Sequence, residues 1–161
     1  MRVVVDKHEE KKFRRRALSH MPNEYMEVMY GYVEGDTVVV CAFVDIDHEG
    51  TPKSIAYDQE EIERQKGLAE KSGLTLLGTI HTHPDREEGI YSECDARDSY
   101  HNEEKLFAIC SIHTKSGKRR TVDIWYWPGV TPLEVEYRET VSTPEADRAR
   151  ERRLLNKESK V

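Results

Sequence analysis

The sequence predicts an α/β fold, a mixed β-sheet flanked by helices, and three observations carry that expectation. Two apolar runs, "LTLLGTIH" and "LFAICSIH", read as buried strands. Residues 7–20 instead repeat apolar side chains at helical spacing, through Phe13, Ala17 and Met21. Segments of the two kinds mix along the chain, as in a layered sheet-and-helix domain.

The elements follow in order. Asp6 and Glu9 form a capping-box pattern ahead of the first helix, and "MPN" breaks it. "EYMEVMYGYV" and "TVVVCAFVD" flank "EGD" and read as a hairpin of two strands. "YDQEEIERQKGLAEKSG" reads as a helix capped by Asp58 and stopped by Gly73. "LTLLGTIH" then delivers His81 at the C-terminal end of its strand. "SECDARDSYHNEEK" reads as a polar helix, "LFAICSIH" as the next strand, and "TVDIWYW" and "LEVEY" as alternating strands around the turn-rich "PGVTP". From Pro144 the chain is highly charged, with "RARERR" at its centre, and reads as a solvated helix or a frayed terminus. The organisation is one domain over residues 1–141 and a charged helix or tail over 142–161.

Composition bounds the function. At 161 residues the chain suits a single domain with a proper core, and 37% hydrophobic against 35% charged residues describes a soluble globular protein. A net charge of −6 gives no general reason to bind nucleic acid, although "GKRRTV" and "RARERR" are locally basic. No apolar run approaches the ~20 residues of a membrane span. "MRVVVDKHEEKKFRRR" is too short in its apolar stretch for a signal peptide, and its charges follow that stretch. Three cysteines, Cys41, Cys94 and Cys110, never in a CxxC pair, fit a reducing compartment, so a cytoplasmic location is expected.

The stretch "HTHPDREEGIYSECD" concentrates the chemistry. Residues two apart on a strand face the same way, so His81 and His83 can aim their imidazoles at one point. Imidazole suits zinc, and a carboxylate such as Asp95 completes a three-residue ligand set that leaves one position for water. Taken alone, an HxH strand end is equally a polar cap, and Ser92 with Asp95 also satisfies an [ST]-x-x-[DE] helix cap that needs no metal. A base is needed as well, and "PNEYMEVMYG" offers Glu24 and Glu27. Three apart on a strand, these two face opposite sides, so only one can approach a metal.

Together these residues resemble the JAMM, or MPN-plus, metalloproteases, a zinc isopeptidase family. Its signature places a glutamate in P-x-E-x-x-G-x-x-x-G, then H-[ST]-H-P, then S-x-x-D. This chain has Pro22, Glu24 and Gly31, then His81, Thr82, His83 and Pro84, then Ser92 and Asp95. The likeness extends over residues 7–127 and is closest to a minimal prokaryotic-type core. Two departures stand out: the spacing from His83 to Asp95 is one residue longer than usual, leaving Asp98 and Asp85 as lesser ligand candidates, and Glu27 stands where the family commonly has glycine.

The resemblance implies an MPN (cytidine deaminase-like) fold and one zinc per chain held by His81, His83 and Asp95. It implies Glu24 as general base and acid, and Ser92 as a donor to the oxyanion. The reaction implied is hydrolysis of an amide bond beside the C-terminal tail of a ubiquitin-like or sulfur-carrier protein, driven by a zinc-activated water. Thr82 and Pro84 read as shaping residues. A non-catalytic MPN-type scaffold is the alternative, although such relatives typically lack the ligand set. A metallo-β-lactamase-like site is disfavoured because its final histidine is Arg86 here, and a TIM barrel because the chain is too short. His8, His20, His48, His101 and His113 read as surface residues, Cys94 as pointing away from the metal, and Trp125 and Trp127 as sheet packing. Neither membrane nor nucleic acid is an expected partner.

Overall fold

The computed structural model describes residues 1–85, 104–115, 119–129 and 132–159. Seven strands form one mixed sheet in the order β8-β7-β6-β2-β3-β1-β9. Its members are β1 (Arg2–Asp6), β2 (Met26–Glu34), β3 (Thr37–Asp45), β6 (Thr75–Pro84), β7 (Phe107–Lys115), β8 (Arg119–Trp127) and β9 (Glu136–Arg138). Two short strands, β4 (His48–Gly50) and β5 (Ile55–Tyr57), make a separate hairpin. The helices among the described residues are α1 (Lys7–Ser19), α2 (Gln59–Lys71) and α3 (Pro144–Ser159).

The near-continuous apolar strands follow from burial on both faces. In β3, Val38 and Val40 join one core cluster with Phe13 and Ala17 of α1. Val39 and Cys41 join another with Ile62 and Ala69 of α2 and Ala146 and Ala149 of α3. Among the described residues, one helix therefore covers one face and two cover the other. Both expected helix caps are present: Asp6 accepts the Glu9 N–H at 2.9 Å, and the Asp58 side chain accepts from Glu60 N–H. Gly35 turns the β2–β3 hairpin at φ 59° and Gly73 ends α2 at φ 82°, backbone that glycine adopts without strain. Gly31 sits where the β2–β3 register shifts, and a Cβ there would lie 1.8 Å from the Val39 carbonyl oxygen.

Several elements differ from the sequence reading. β1 was not among the expected strands; its three valines are buried between β3 and β9, pairing in parallel with both. The charged tail is a docked helix rather than a solvated one, because Ala146 and Ala149 are buried and Arg150 and Arg153 meet acidic partners beneath it. The expected "LEVEY" strand is shorter, with β9 limited to Glu136–Arg138 and Leu133 in a single bridge to Tyr126. The polar helix expected from "SECDARDSYHNEEK" falls almost wholly outside the described residues. Among the described residues no helix is long and apolar enough to cross a membrane.

Candidate metal centre

β6 runs in parallel beside β7, with His81 opposite Ile109 and His83 opposite Ser111. Both histidines stand near the C-terminal end of β6, the kind of position at which open α/β sheets gather ligands. Alternation puts them on one face, and their Nε2 atoms lie 2.9 Å apart. His83 is buried, and the buried ring of Phe107 backs His81 at 5.4 Å. β6 ends one residue later, where Asp85 takes a left-handed φ of 58° and donates its N–H to the Ile112 carbonyl.

Glu24 reaches this end from the neighbouring strand. It lies just ahead of β2, in which Met26 pairs with His81. Thr82, wholly buried between the two histidines, accepts the Tyr25 N–H on its hydroxyl at 2.9 Å and donates its own N–H to the Tyr25 carbonyl at 2.8 Å. This gives the shaping role of Thr82 a physical content. On the other side, the Glu24 N–H donates to Thr51 at 2.8 Å, and Gly50 comes so close that a Cβ would lie 1.9 Å from the Glu24 carbonyl oxygen. The backbone of Glu24 is thus clamped between the histidine strand and the β4–β5 turn. Its buried side chain lines a cleft of about 300 Å³ shared with His20, Asp45 and His48.

Glu27 does something different. It is fully buried, its carboxylate takes two bonds from Arg16 of α1 at 2.7 and 2.9 Å, and the Tyr25 hydroxyl donates to it as well. In place of the family's usual glycine, this chain therefore carries an internal ion pair joining α1 to β2.

Of the residues read as surface histidines, His20 is exposed as expected. It stacks on Tyr25 at 4.1 Å, half-buried His48 meets the same ring edge-on at 5.3 Å, and both line the Glu24 cleft. His113 is buried, with Nε2 3.1 Å from the Asp123 carboxylate. No spacing in the sequence announces these contacts, since each depends on how the chain folds back on itself. Cys41 and Cys110 are buried, and burial pushes each thiol up to about 12, which leaves neither a nucleophile at neutral pH.

Two imidazole nitrogens on one tetrahedral zinc, each about 2.0–2.1 Å from it, lie about 3.3 Å apart. The facing Nε2 atoms of His81 and His83 are close to that separation, and two such nitrogens share at most one proton between them. A cation satisfies both, so the pair fits zinc. Among the described residues no group of three or more His, Cys, Asp or Glu side chains is arranged to hold a metal. The third expected ligand, Asp95, lies outside the described residues, as do Ser92, Cys94, Asp98 and His101.

The sequence matches the family of prokaryotic homologs of the JAB domain over residues 6–141. The chain is a member of that JAB-domain family. A solution structure of a Desulfitobacterium hafniense protein is similar, with a TM-score of 0.65 at 19% identity, covering 87% of this chain and 95% of that one. A crystal structure of a JAB1/MPN domain protein from Archaeoglobus fulgidus is similar with a TM-score of 0.51 at 16% identity, covering 85% of this chain and 98% of that one. No curated protein matches the sequence. The mixed sheet and flanking helices of this JAB domain are those of its structural neighbours.

Proposed function

We propose that this JAB domain is a zinc-dependent isopeptidase or peptidase that hydrolyses an amide bond beside the C-terminal tail of a ubiquitin-like or sulfur-carrier protein. The observation that carries the reading is the joint placement of the His81–His83 pair and Glu24, held to one another through Thr82. His81, His83 and Asp95 would hold the metal, one per chain. Zinc held there supplies Lewis acidity at the reacting carbonyl and lowers the pKa of a water toward about 7.

The chain's own groups do the rest. Glu24, a carboxylate at the floor of a cleft, takes a proton from the attacking water and delivers it to the departing amine. Clamping its backbone on both sides fixes the carboxylate before substrate arrives, and such preorganisation is what makes a general base effective. Ser92 donates a hydrogen bond to the carbonyl oxygen as negative charge develops on it. Thr82 positions Glu24 and touches no reacting atom.

The test is the zinc content of untagged protein, wild type beside His83→Ala, followed by cleavage of β-grasp fusions carrying a C-terminal Gly-Gly. About one zinc per chain, lost in the variant, together with Gly-Gly-dependent cleavage, is the expected result. Protein that takes up no zinc after reconstitution would instead be a binding module on the same fold.

A further inference from the structure

The sheet face that carries His81 and His83 carries a further histidine, and a carboxylate holds it. Ala108, Cys110 and Ile112 of β7 pack with Phe13 and Ala17 of α1, so alternation turns Phe107, Ile109, Ser111 and His113 to the opposite face. The Phe107 ring lies against that of His81, which makes this the face of the metal centre. Register draws a row across three strands there: His83 of β6 lies opposite Ser111, and Ser111 lies opposite Asp123 of β8. His113 stands two residues beyond Ser111, toward the C-terminal end of β7.

The ring of His113 is buried but only half satisfied. Its Nε2 lies 3.1 Å from the half-exposed Asp123 carboxylate, whereas its enclosed Nδ1 has no hydrogen-bond partner among the described residues. An ionised carboxylate only accepts, so the proton between them belongs to Nε2, and the neutral ring offers Nδ1 as an acceptor. The two nitrogens of an imidazole look away from each other across the ring. With Nε2 held toward β8, Nδ1 is turned from that strand to the side on which β6 runs. An enclosed acceptor with no donor opposes folding, and one kept beside a metal centre suits a bond made when that centre is loaded. Among the described residues no three side chains gather on one metal, so the part left to His113 is to orient the centre rather than to ligate it.

We infer that His113, aimed by Asp123, is a positioning residue of the metal centre. With zinc on the histidine pair, its Nδ1 accepts a hydrogen bond from the His83 side of the site, directly or through one buried water, and so fixes the end of the ligand strand. The inference rests on the zinc reading of the site and needs no peptidase turnover.

The experiment uses the full chain, stripped of metal and titrated with zinc against a chromophoric chelator, with the melting temperature of the metal-free protein measured beside it. His113→Phe keeps a ring in the space and removes the acceptor. Zinc should bind about 10–100-fold more weakly, the loss usual for groups that orient metal ligands. The metal-free variant should melt no lower than wild type, because the enclosed acceptor is gone and the lost Asp123 bond was half-exposed. A merely structural histidine gives the reverse, a lower melting temperature with zinc affinity unchanged in folded protein. His113→Asn, which returns an acceptor oxygen near the position of Nδ1, should recover most of the affinity. Asp123→Ala should weaken zinc binding in the wild-type background and add nothing to His113→Phe. Wild-type affinity in His113→Phe, equal losses in the Phe and Asn variants, or additive losses with Asp123→Ala would overturn the inference while sparing the zinc site. Wild-type protein that binds no zinc sinks both readings.

Discussion

Beneath α3, Asp6, Glu9, Arg150 and Arg153 meet in the interior; at the end of β6, His81 and His83 meet beside Glu24. Both are buried polar groupings, yet their bonding differs in kind. Asp6 accepts the Glu9 and Val141 N–H groups and a guanidinium N–H of Arg150, which also bonds the Cys41 and Val141 carbonyls. Glu9 takes both guanidinium nitrogens of Arg153, which donates to the Phe43 carbonyl as well. Two acids face two arginines, and the grouping supplies its own counter-charges. At the histidine end, two imidazole nitrogens face each other, a pairing of like groups with no counter-charge of its own kind between them. A cluster of matched acids and arginines fastens the fold, whereas facing imidazoles beside a carboxylate are the chemistry of a functional site.

The sharpest way to break this comparison is Glu24→Gln. Turnover should fall by about 10²–10⁴-fold, with zinc content and melting temperature unchanged, because the amide keeps the shape and loses only the proton-carrying role. A large loss of stability would place Glu24 with the structural cluster instead. Next in size is the converse: Glu27→Gly and Arg153→Met each break a buried pair and should cost about 3–5 kcal/mol in denaturant unfolding. Zinc stoichiometry and turnover per folded molecule should persist in both. If Glu27→Gly abolished turnover in protein that still folds, the assignment of the base to Glu24 would fail. Thr82→Val is expected to be smaller in stability, about 1–3 kcal/mol for the stranded Tyr25 N–H, while lowering turnover by more than that loss of stability implies. Equal losses would reduce Thr82 to ordinary packing.

Much of this was legible in residue order. The helix caps at Asp6 and Asp58, the glycine turns at Gly35 and Gly73, and the two buried runs that became β6 and β7 are local signals, and local signals survive folding. The histidine pair was legible for the same reason, since a period of two needs only a strand. β1 was not, because three valines between charged residues are too short to be distinguished from a stray apolar patch. Nor was the docking of α3: its buried face consists of small alanines and of arginines whose partners, Asp6 and Glu9, lie more than a hundred residues away. The cleft that joins His20, Asp45 and His48 to Glu24 is likewise made only by tertiary contact.

The smallest expected effect is a pH dependence that belongs to one centre alone. Burial pushes the Glu9 carboxyl up, but the hydrogen bonds and charge of Arg153, with Lys12 and Arg150 nearby, outweigh it and hold the group below its ordinary value. A carboxylate lowered in the folded state adds stability above its unfolded pKa of about 4.3 and loses that contribution as pH falls through the folded value. Melting temperatures should therefore drop below about pH 4.5, and the Glu9 share should resist salt because the pair is enclosed. The Glu136 carboxyl of the exposed Arg2–Glu136 pair is lowered too, by the hydrogen bond and charge of Arg2, but solvent and salt screen it. Arg153→Met should flatten the acid limb at high salt, and His83→Ala should leave it as it stands in the wild type. An acid limb that Arg153→Met leaves untouched would mean that Glu9 is not the group titrating, and a limb changed by His83→Ala would mean that the two centres are coupled rather than separate.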